Sequence, residues 1–247
     1  MINKKIVANN FSKSVKTYDK HAKVQKHMAN NLLSYLPNEN INSILEIGSG
    51  TGYFTNLLLK KYPNSKIDIC DISSHMLEES KKKFSNKINK YILGDIETIK
   101  FNSKYDLIVS NATFQWFNHL EDTVLYLKTL INKNSKIIFS TFGEKTYWEL
   151  TESFRRIHSQ YEYSQNFKSK LYFENLEYKV EEEFYLEEYE SLIKFLKNIK
   201  GVGATSAKTG KKIITKGLLE QVEKEYIKLC KGKVEVTNHL LYVIINK

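Results

Sequence analysis

The chain has 247 residues, of which 41% are hydrophobic, 27% charged and 13% aromatic. A chain of this size and composition can bury a sizeable core, which excludes collagen, low-complexity disorder and a small disulfide scaffold. Lys and Arg number 38 against 28 Asp and Glu, so the formal net charge is +10. That balance predicts an anionic partner, although the abundance of Lys, Asn and Ile is equally explained by AT-rich codons.

The cysteines and the apolar runs indicate where the protein works. Cys70 and Cys230 are the two cysteines, and the sequence has no CxxC pair and no Cys/His cluster. The N-terminal residues contain no apolar signal segment, and no apolar run approaches the roughly 18 residues of a membrane span. We therefore expect a cytoplasmic protein with reduced cysteines and no metal site.

The first two thirds of the chain alternate predicted strands and helices. A helix is predicted over residues 18–36 and ends at Pro37. Strands are then predicted at 43–48, 66–72, 90–95, 105–111 and 136–142, with helices between them at 52–61, 74–84 and 120–132. This alternation predicts an α/β fold with a doubly wound, mostly parallel sheet.

After Gly143 the pattern changes. We predict helices at 145–162, 189–199 and 216–230, strands at 178–187 and 234–245, and a Gly-rich loop over 200–212. The sheet would then have seven strands. Residues 145–180 have no partner in the alternation and make a poor core alone, so we expect a helical lid insertion after strand five. The chain is expected to form a single domain, 1–247, with an N-terminal lid segment of about 1–36.

The strongest motif is LEIGSGTG, from Leu45 to Gly52, which follows a predicted strand and opens a predicted helix. Gly48 and Gly50 allow the backbone to approach a ligand, and Gly52 allows tight entry into the helix. Glu46 adds a carboxylate near the end of the strand. A Gly-rich turn without a ligand is the alternative interpretation.

Two acidic residues strengthen the interpretation of a ligand site. Asp71 ends the second strand, 21 residues after Gly50, where dinucleotide sites carry the acidic residue that binds ribose hydroxyls. Asp95, in GDIE (94–97), ends the third strand and can accept a hydrogen bond from an adenine amine. Each is alone explained as a helix or turn cap. Together they converge on the carboxyl edge of the sheet, where open α/β sheets bind ligands.

This order of motifs resembles the S-adenosylmethionine-dependent methyltransferases, which share the E/D-xGxGxG form followed by acidic residues at the ends of strands two and three. The resemblance implies a Rossmann-like methyltransferase fold with S-adenosylmethionine as its cofactor. The implied cofactor contacts are Glu46, Gly48, Ser49, Gly50, Asp71, Ile72, Met76, Asp95, Ile96 and Asn111. Core packing explains Met76 equally well.

A narrower resemblance covers most of the chain. The segments FSKSVKTYDKHAKVQ (11–25), GDIE, SNATFQW (110–116), FSTFGEKTYWEL (139–150) and FLKNIKGVGATSA (195–207) resemble, in this order, the malonyl-acyl-carrier-protein O-methyltransferases of biotin synthesis. Ser49 stands where that family often has Cys, and either residue is small enough for the turn. The resemblance implies methyl transfer to the free carboxylate of malonyl-acyl carrier protein, giving the methyl ester that primes pimelate synthesis for biotin.

A malonyl carboxylate is ionised at pH 7, so this reaction needs no general base and its catalytic residues would only position the substrate. Tyr18 is expected to orient the carboxylate or the cofactor from the N-terminal lid. Gln115 and Trp116 are expected to wall the methyl-transfer chamber. Packing in the core is the alternative for Tyr18 and Trp116.

Basic residues are expected to hold the substrate and its carrier. Arg155 and Arg156 are the two arginines of the chain and could clamp a carboxylate or phosphate. Lys197 and Lys200 belong to a basic stretch that continues through Lys208, Lys211 and Lys212, and this stretch suits an acidic carrier protein. A solvated helix face explains either group equally simply.

The expected partner is therefore malonyl-acyl carrier protein, bound by a monomer, with no nucleic acid and no membrane. One alternative is an S-adenosylmethionine-dependent methyltransferase that acts on another small carboxylic acid or on RNA. The positive charge fits RNA, but the scarcity of Arg argues against it. A second alternative is a cofactor-binding subunit without activity, which the intact glycine motif disfavours.

Overall fold

The computed structural model describes residues 1–159, 165–205 and 215–247. Within these ranges the strands are β1 (Ser43–Ile47), β2 (Lys66–Asp71), β3 (Lys90–Leu93), β4 (Tyr105–Asn111), β5 (Ile131–Phe142), β6 (Lys179–Tyr189) and β7 (Val234–Asn246). They form one sheet in the order β3-β2-β1-β4-β5-β7-β6.

The sheet is parallel except at one strand. Strands β1 to β5 pair in parallel, and β7 runs antiparallel to both β5 and β6. The carboxyl ends of the parallel strands therefore share one edge with the beginning of β7. This arrangement confirms the predicted doubly wound, mostly parallel sheet of seven strands.

Helices cover both faces of the sheet. They are α1 (Lys4–His21), α2 (Lys23–Tyr35), α3 (Tyr53–Lys61), α4 (Ser74–Phe84), α5 (Leu120–Leu130), α6 (Trp148–Arg156), α7 (Lys170–Glu174), α8 (Leu192–Gly201) and α9 (Lys216–Leu229). Of the helices described, none is both long and apolar enough to cross a membrane.

The two faces have separate cores because successive strand residues point to opposite sides. Ile44 packs on one face with Leu32 of α2 and Leu58 of α3. Its neighbour Leu45 packs on the other face with Leu127 of α5. Since the strands are apolar on both faces, they appear in the sequence as short continuous apolar runs.

A third core lies beyond the carboxyl edge of the sheet. It joins Leu150 of α6, Phe195 of α8, Tyr226 of α9 and Val236 near the start of β7, and all four are fully buried. Helix α6 of the expected insertion thus shares its core with α8 and α9.

The predicted helix at 18–36 is wrong in its bounds. Two helices meet at Ala22, whose φ of −79° and ψ of 43° interrupt the helical path. The sequence has no Gly or Pro at this point. The break is held by tertiary contacts instead: His21 hydrogen-bonds Asn198 at 2.8 Å, while Met28 of α2 is buried in the sheet core.

The predicted helix at 145–162 is also too long. Tyr147 and His158 have φ values of 58° and 54°, so the helix α6 is confined between them. Residues 160–162 of the predicted helix lie outside the described residues. The short helix α7 follows in the insertion and was not predicted.

Candidate active site

A cavity lies at the carboxyl ends of β1, β2 and β4, beneath α1. It contains about 660 Å³ of empty space, including the part open to solvent. Eight of the ten residues predicted to contact a cofactor line it, namely Gly48, Gly50, Asp71, Ile72, Met76, Asp95, Ile96 and Asn111. We call this space the main cavity.

The glycine loop forms the floor of the main cavity. Gly48 and Gly50 have φ values of 73° and 54°, a region that other residues rarely adopt. A Cβ atom on Gly48 would lie 2.0 Å from Thr113 Oγ1. A Cβ atom on Gly50 would have no atom within 4 Å, because that position opens into free space. Gly50 therefore leaves room for a ligand.

Asp71 links this loop to the next strand. Its Oδ2 accepts a hydrogen bond from the Gly50 N–H at 2.8 Å, and its Oδ1 accepts one from the Ser73 N–H at 2.8 Å. Burial raises the pKa of Asp71 to about 6, although these backbone hydrogen bonds favour the charged form.

Glu46 and Ser49 do not line the main cavity. Glu46 is 1% exposed and accepts a hydrogen bond from Thr55 Oγ1 at 2.6 Å. Burial, with a smaller effect of the Asp71 charge, raises the pKa of Glu46 to about 8. Ser49 lines a second cavity, which has about 360 Å³ of empty space including the part open to solvent. Its buried hydroxyl has no hydrogen-bond partner in the part of the chain that is described, which leaves it available to a ligand.

Asn111 is held in place by two neighbouring elements of the fold. It lines both cavities at the end of β4. Its Oδ1 accepts a hydrogen bond from Ser140 Oγ at 2.7 Å, and its Nδ2 donates to the Gln25 carbonyl at 3.0 Å. These two bonds fix the amide between β5 and α2.

Helix α1 covers the main cavity. Val7, Phe11 and Tyr18 lie on one face of the helix and all line the cavity. These residues stand at positions i, i+4 and i+11, a helical spacing that is too sparse in the sequence to predict the helix by itself. Two further contacts hold α1 down: Ser12 Oγ lies 2.8 Å from Ser73 Oγ, and Thr51 Oγ1 donates to Asp19 at 2.6 Å.

Lys4 anchors the first turn of α1 to the cavity wall, a role that the sequence pattern did not predict. Its ammonium group forms an ion pair with Glu97, lies 3.6 Å from Asp95 Oδ1 and donates a hydrogen bond to the Trp116 carbonyl at 2.9 Å. The predicted cofactor residue Asp95 thus sits beside a cation at the cavity wall.

A third cavity, with about 370 Å³ of empty space including the part open to solvent, adjoins the main one, and we call it the chamber. Its walls are uncharged side chains from separate parts of the chain, namely Phe11, Tyr18, Gln25, Ala112, Gln115, Trp116, Phe142, Tyr147, Gln165, Phe167, Val202 and Ala204. Tyr18 lines all three cavities, so they meet at its side chain. The structure therefore brings the three predicted positioning residues, Tyr18, Gln115 and Trp116, to one chamber.

Tyr18 and Gln115 differ in whether their polar atoms are already hydrogen-bonded within the protein. The Tyr18 hydroxyl has no hydrogen-bond partner among the described groups, and burial, reinforced by the charges of Asp71 and Asp19, raises its pKa and keeps it protonated. Gln115 is fixed, since its Nε2 donates to the Ala112 carbonyl at 2.7 Å and its Oε1 accepts from Thr141 at 3.1 Å.

Trp116 forms part of the apolar wall. Its ring meets that of Phe11 edge-on, with 5.6 Å between the ring centroids. The ring is 5% exposed, so Trp116 excludes water at the point where α1 and β4 meet.

The predicted carrier-binding residues lie elsewhere. Arg155 and Arg156 are in the last turn of α6 and pair with Glu152 at 2.7 and 3.0 Å. Neither lines the main cavity or the chamber. The expectation that they clamp the carboxylate therefore has no support in the geometry, because Glu152 already holds both guanidinium groups.

The predicted carrier-docking lysines lie on the surface. Lys197 and Lys200 are exposed on α8. Lys208, Lys211 and Lys212 lie outside the described residues.

Comparison with known proteins decides the family. A profile of the family described as "Methyltransferase domain" matches residues 44–132. The malonyl-acyl carrier protein O-methyltransferase 2 of Ilyobacter polytropus is 45% identical, with 100% of this chain and 99% of the relative covered. The chain belongs to the malonyl-acyl carrier protein O-methyltransferase family. The corresponding protein of Acetivibrio thermocellus is 33% identical, with 100% of this chain and 95% of the relative covered.

Membership of this family confirms the resemblance stated from the sequence, the methyltransferase class and S-adenosylmethionine as the cofactor. Among solved structures, the YcgJ protein from Bacillus subtilis matches with a TM-score of 0.62 at 12% identity, covering 90% of this chain and 98% of that protein. At this identity the match shows the fold alone. The open space at Gly50 and the unpartnered Ser49 hydroxyl fit the cofactor.

Proposed function

We propose that this protein transfers a methyl group from S-adenosylmethionine to the free carboxylate of malonyl-acyl carrier protein. The observation that carries the proposal is the uncharged chamber, which adjoins the main cavity and shares Phe11, Tyr18 and Trp116 with it. The names of the full-length relatives support this substrate. The ester formed would be the one that primes pimelate synthesis for biotin.

The main cavity would hold the cofactor. Asp71 would accept hydrogen bonds from ribose hydroxyls and Asp95 one from the adenine amine, while Ile72, Met76 and Ile96 provide apolar surface for the base. Gly48, Gly50, Ser49 and Asn111 would face the remaining part, with Glu46 supporting the loop from below. When bound, S-adenosylmethionine supplies an electrophilic methyl group on a sulfonium centre.

The chamber would prepare the malonyl carboxylate. The carboxylate is already ionised at neutral pH, so no residue has to remove a proton. The protonated Tyr18 hydroxyl donates a hydrogen bond to one carboxylate oxygen and leaves the other as the nucleophile. Trp116, Phe11 and Phe142 exclude water, and removing water raises the reactivity of the anion. The fixed amide of Gln115 and the walls hold the nucleophile in line.

The uncharged lining also suits the product. Methylation converts an anion into a neutral ester, which a chamber without charged walls binds more easily than its precursor. An arginine clamp would instead stabilise the ground-state anion and slow the reaction. The pairing of Arg155 and Arg156 with Glu152 is consistent with a chamber that does without them.

The remaining expectations form part of the same proposal. The chain would act as one domain, with α1 in the N-terminal segment of about 1–36 and the insertion of about 145–180 as its lids. It would work as a monomer in the cytoplasm, without a nucleic-acid or membrane partner. Cys70 and Cys230 would remain reduced there.

A methyl-transfer assay with labelled S-adenosylmethionine tests the proposal. Malonyl-acyl carrier protein is the substrate, and acetyl- and succinyl-acyl carrier protein are the controls, since one lacks a carboxylate and the other has a longer chain. Label in the malonyl thioester alone is the expected result. Binding of S-adenosylhomocysteine without transfer to any malonyl thioester would overturn the substrate and favour RNA or another small acid.

A further inference from the structure

Five exposed lysines form a strip on two adjacent helices. Lys13, Lys16 and Lys20 lie on the outer face of α1, and Lys197 and Lys200 lie on α8. We call these five residues the basic seam. Their spacing on α1, i, i+3 and i+7, places them on one side of that helix.

Two hydrogen bonds bring the lysines of the two helices together. Thr17 Oγ1, between Lys16 and Lys20, donates to the Gly201 carbonyl at 2.8 Å. His21 Nδ1 lies 2.8 Å from Asn198 Oδ1, beside Lys197. These two bonds hold α1 and α8 side by side, which brings the exposed lysines of both helices to neighbouring parts of the surface.

The charges of the seam are uncompensated. None of the five lysines forms an ion pair with an acidic residue in the described ranges, unlike Lys194, which pairs with Glu190. Asp19, next to Lys20, is directed towards Lys83 and Thr51. The seam therefore presents a local positive potential to solvent.

The seam lies on the outside of elements that wall the chamber. Phe11 and Tyr18 of α1 line the chamber from its inner face, and Val202 and Ala204 line it directly after α8. An α-helix is about 10 Å across, so the seam and the chamber are separated by roughly one helix diameter. A protein on the seam would thus be close to where its thioester-bound acyl group must react.

We propose that the acidic carrier protein docks on the basic seam, on the outer side of the helix that covers the cofactor. The proposal rests on the proposed function and names the surface that its substrate uses. Acidic carrier and basic seam are complementary in charge, which favours association and fixes orientation. A nucleic acid is disfavoured, since the described part of α1 and α8 exposes no large aromatic ring on which bases could stack.

Direct binding tests the docking surface. Fluorescently labelled malonyl-acyl carrier protein is titrated with the full-length wild type and with two charge-reversed variants, Lys13→Glu/Lys20→Glu and Lys197→Glu/Lys200→Glu. The matched control is Lys66→Glu/Lys133→Glu, since these exposed lysines lie at the opposite, amino edge of the sheet. Calorimetry with S-adenosylhomocysteine confirms that every variant is folded.

At low salt we expect each seam variant to weaken binding about tenfold and the control to change it less than about twofold. The difference should shrink above roughly 0.3 M salt, where exposed charges are screened. Seam variants that bind the carrier like the wild type would overturn the proposal, as would RNA that binds the seam more tightly than the carrier does. A wild type that binds carrier at the seam but transfers no methyl would refute the proposed function and leave the docking surface intact.

Discussion

Asp71 Oδ2 accepts a hydrogen bond of 2.8 Å from the backbone N–H of Gly50. The bond joins the end of β2 to the glycine loop after β1, and so connects the two motifs that the sequence places 21 residues apart. A second bond, from the Ser73 N–H, fixes the other carboxylate oxygen. The carboxylate therefore shapes the loop and at the same time faces the main cavity.

Cofactor binding should depend on the ionisation of Asp71. Burial raises the pKa of Asp71 to about 6, so its carboxylate is charged above pH 7 and increasingly protonated below pH 6. Because the charged form accepts hydroxyl hydrogen bonds, affinity for S-adenosylhomocysteine should be constant above pH 7. It should fall by about tenfold per pH unit well below pH 6.

Calorimetry between pH 5 and 8 measures this dependence. Asp71→Asn is the matched variant, because it keeps the shape of the side chain and cannot ionise. We expect it to bind about 10–100-fold more weakly at pH 8 and to show little dependence on pH. Equal pH slopes in the variant and the wild type would contradict the assignment.

The two cavity-floor glycines should respond differently to alanine. Both substitutions place a side chain at positive φ and cost roughly 1–2 kcal/mol of unfolding free energy. Gly48→Ala also drives a methyl group into Thr113, which should cost about 1–3 kcal/mol more. Gly50→Ala points its methyl into open space, so it should lower S-adenosylhomocysteine affinity at least about tenfold with little further loss of stability.

Urea unfolding and calorimetry on both glycine variants separate these effects. We expect Gly48→Ala to be less stable than Gly50→Ala. Gly50→Ala should lose only the roughly 1–2 kcal/mol of its positive φ and should bind the cofactor poorly. A Gly50→Ala protein with wild-type affinity would show that the ligand does not pass over this residue.

Removing the Tyr18 hydroxyl should slow methyl transfer without preventing cofactor binding. Its hydroxyl is unpartnered in the described structure and lies where the three cavities meet. Tyr18→Phe should lower kcat about 10–100-fold, since one hydrogen bond to the nucleophile is lost. The dissociation constant of S-adenosylhomocysteine should stay within about threefold. Tyr35→Phe, in α2 against Tyr242, is the control and should retain wild-type kcat.

The sheet and the glycine loop that forms the floor of the main cavity could be predicted because each depends on a short, continuous stretch of the sequence. Each strand from Ser43 to Phe142 is a largely apolar run that ends at, or just before, a Gly or polar residue, and parallel strands end at a common edge. Helix α1 was missed over residues 4–17 because its buried stripe is thin and the helix interior carries Asn, Ser and Val, which favour helices weakly. Its break at Ala22 has no local signal and depends on contacts with α8 and the sheet.

The chamber could not be predicted as a unit because its walls come from distant segments. The chamber walls that meet only in the folded chain include Phe142, Tyr147, Gln165 and Val202.

The pairing of the two arginines, by contrast, could have been predicted from nearby residues in the sequence. Glu152 precedes Arg155 and Arg156 by three and four positions, which is the spacing of helical ion pairs, so the sequence alone could have predicted their pairing.

Lys4 should hold the start of helix α1 in place over the main cavity. Its contacts with Glu97, Asp95 and the Trp116 carbonyl are lost in Lys4→Met. We expect amide hydrogen exchange at the start of α1 to become faster and S-adenosylhomocysteine to dissociate several-fold faster. Lys5→Met is the control, because Lys5 is exposed and forms no ion pair with a described residue. Equal exchange in both variants would exclude this anchoring role.

Glu46 should make the fold less stable as the pH rises. Burial raises the pKa of Glu46 to about 8, well above the roughly 4.3 of an unfolded glutamate. The folded chain therefore binds this proton more tightly than the unfolded chain does. The resulting stabilisation is fully present below about pH 4 and is lost as the pH rises towards 8.

The matched variant is Glu46→Gln, whose amide oxygen can still accept the hydrogen bond from Thr55 and which does not titrate. Urea unfolding at pH 5 and pH 8 gives the two free energies. We expect the wild type to lose about 2–4 kcal/mol more than the variant over this interval. If both proteins lose the same amount, Glu46 is ionised in the folded chain at neutral pH, and the loop then rests on a buried charge rather than on a neutral acid.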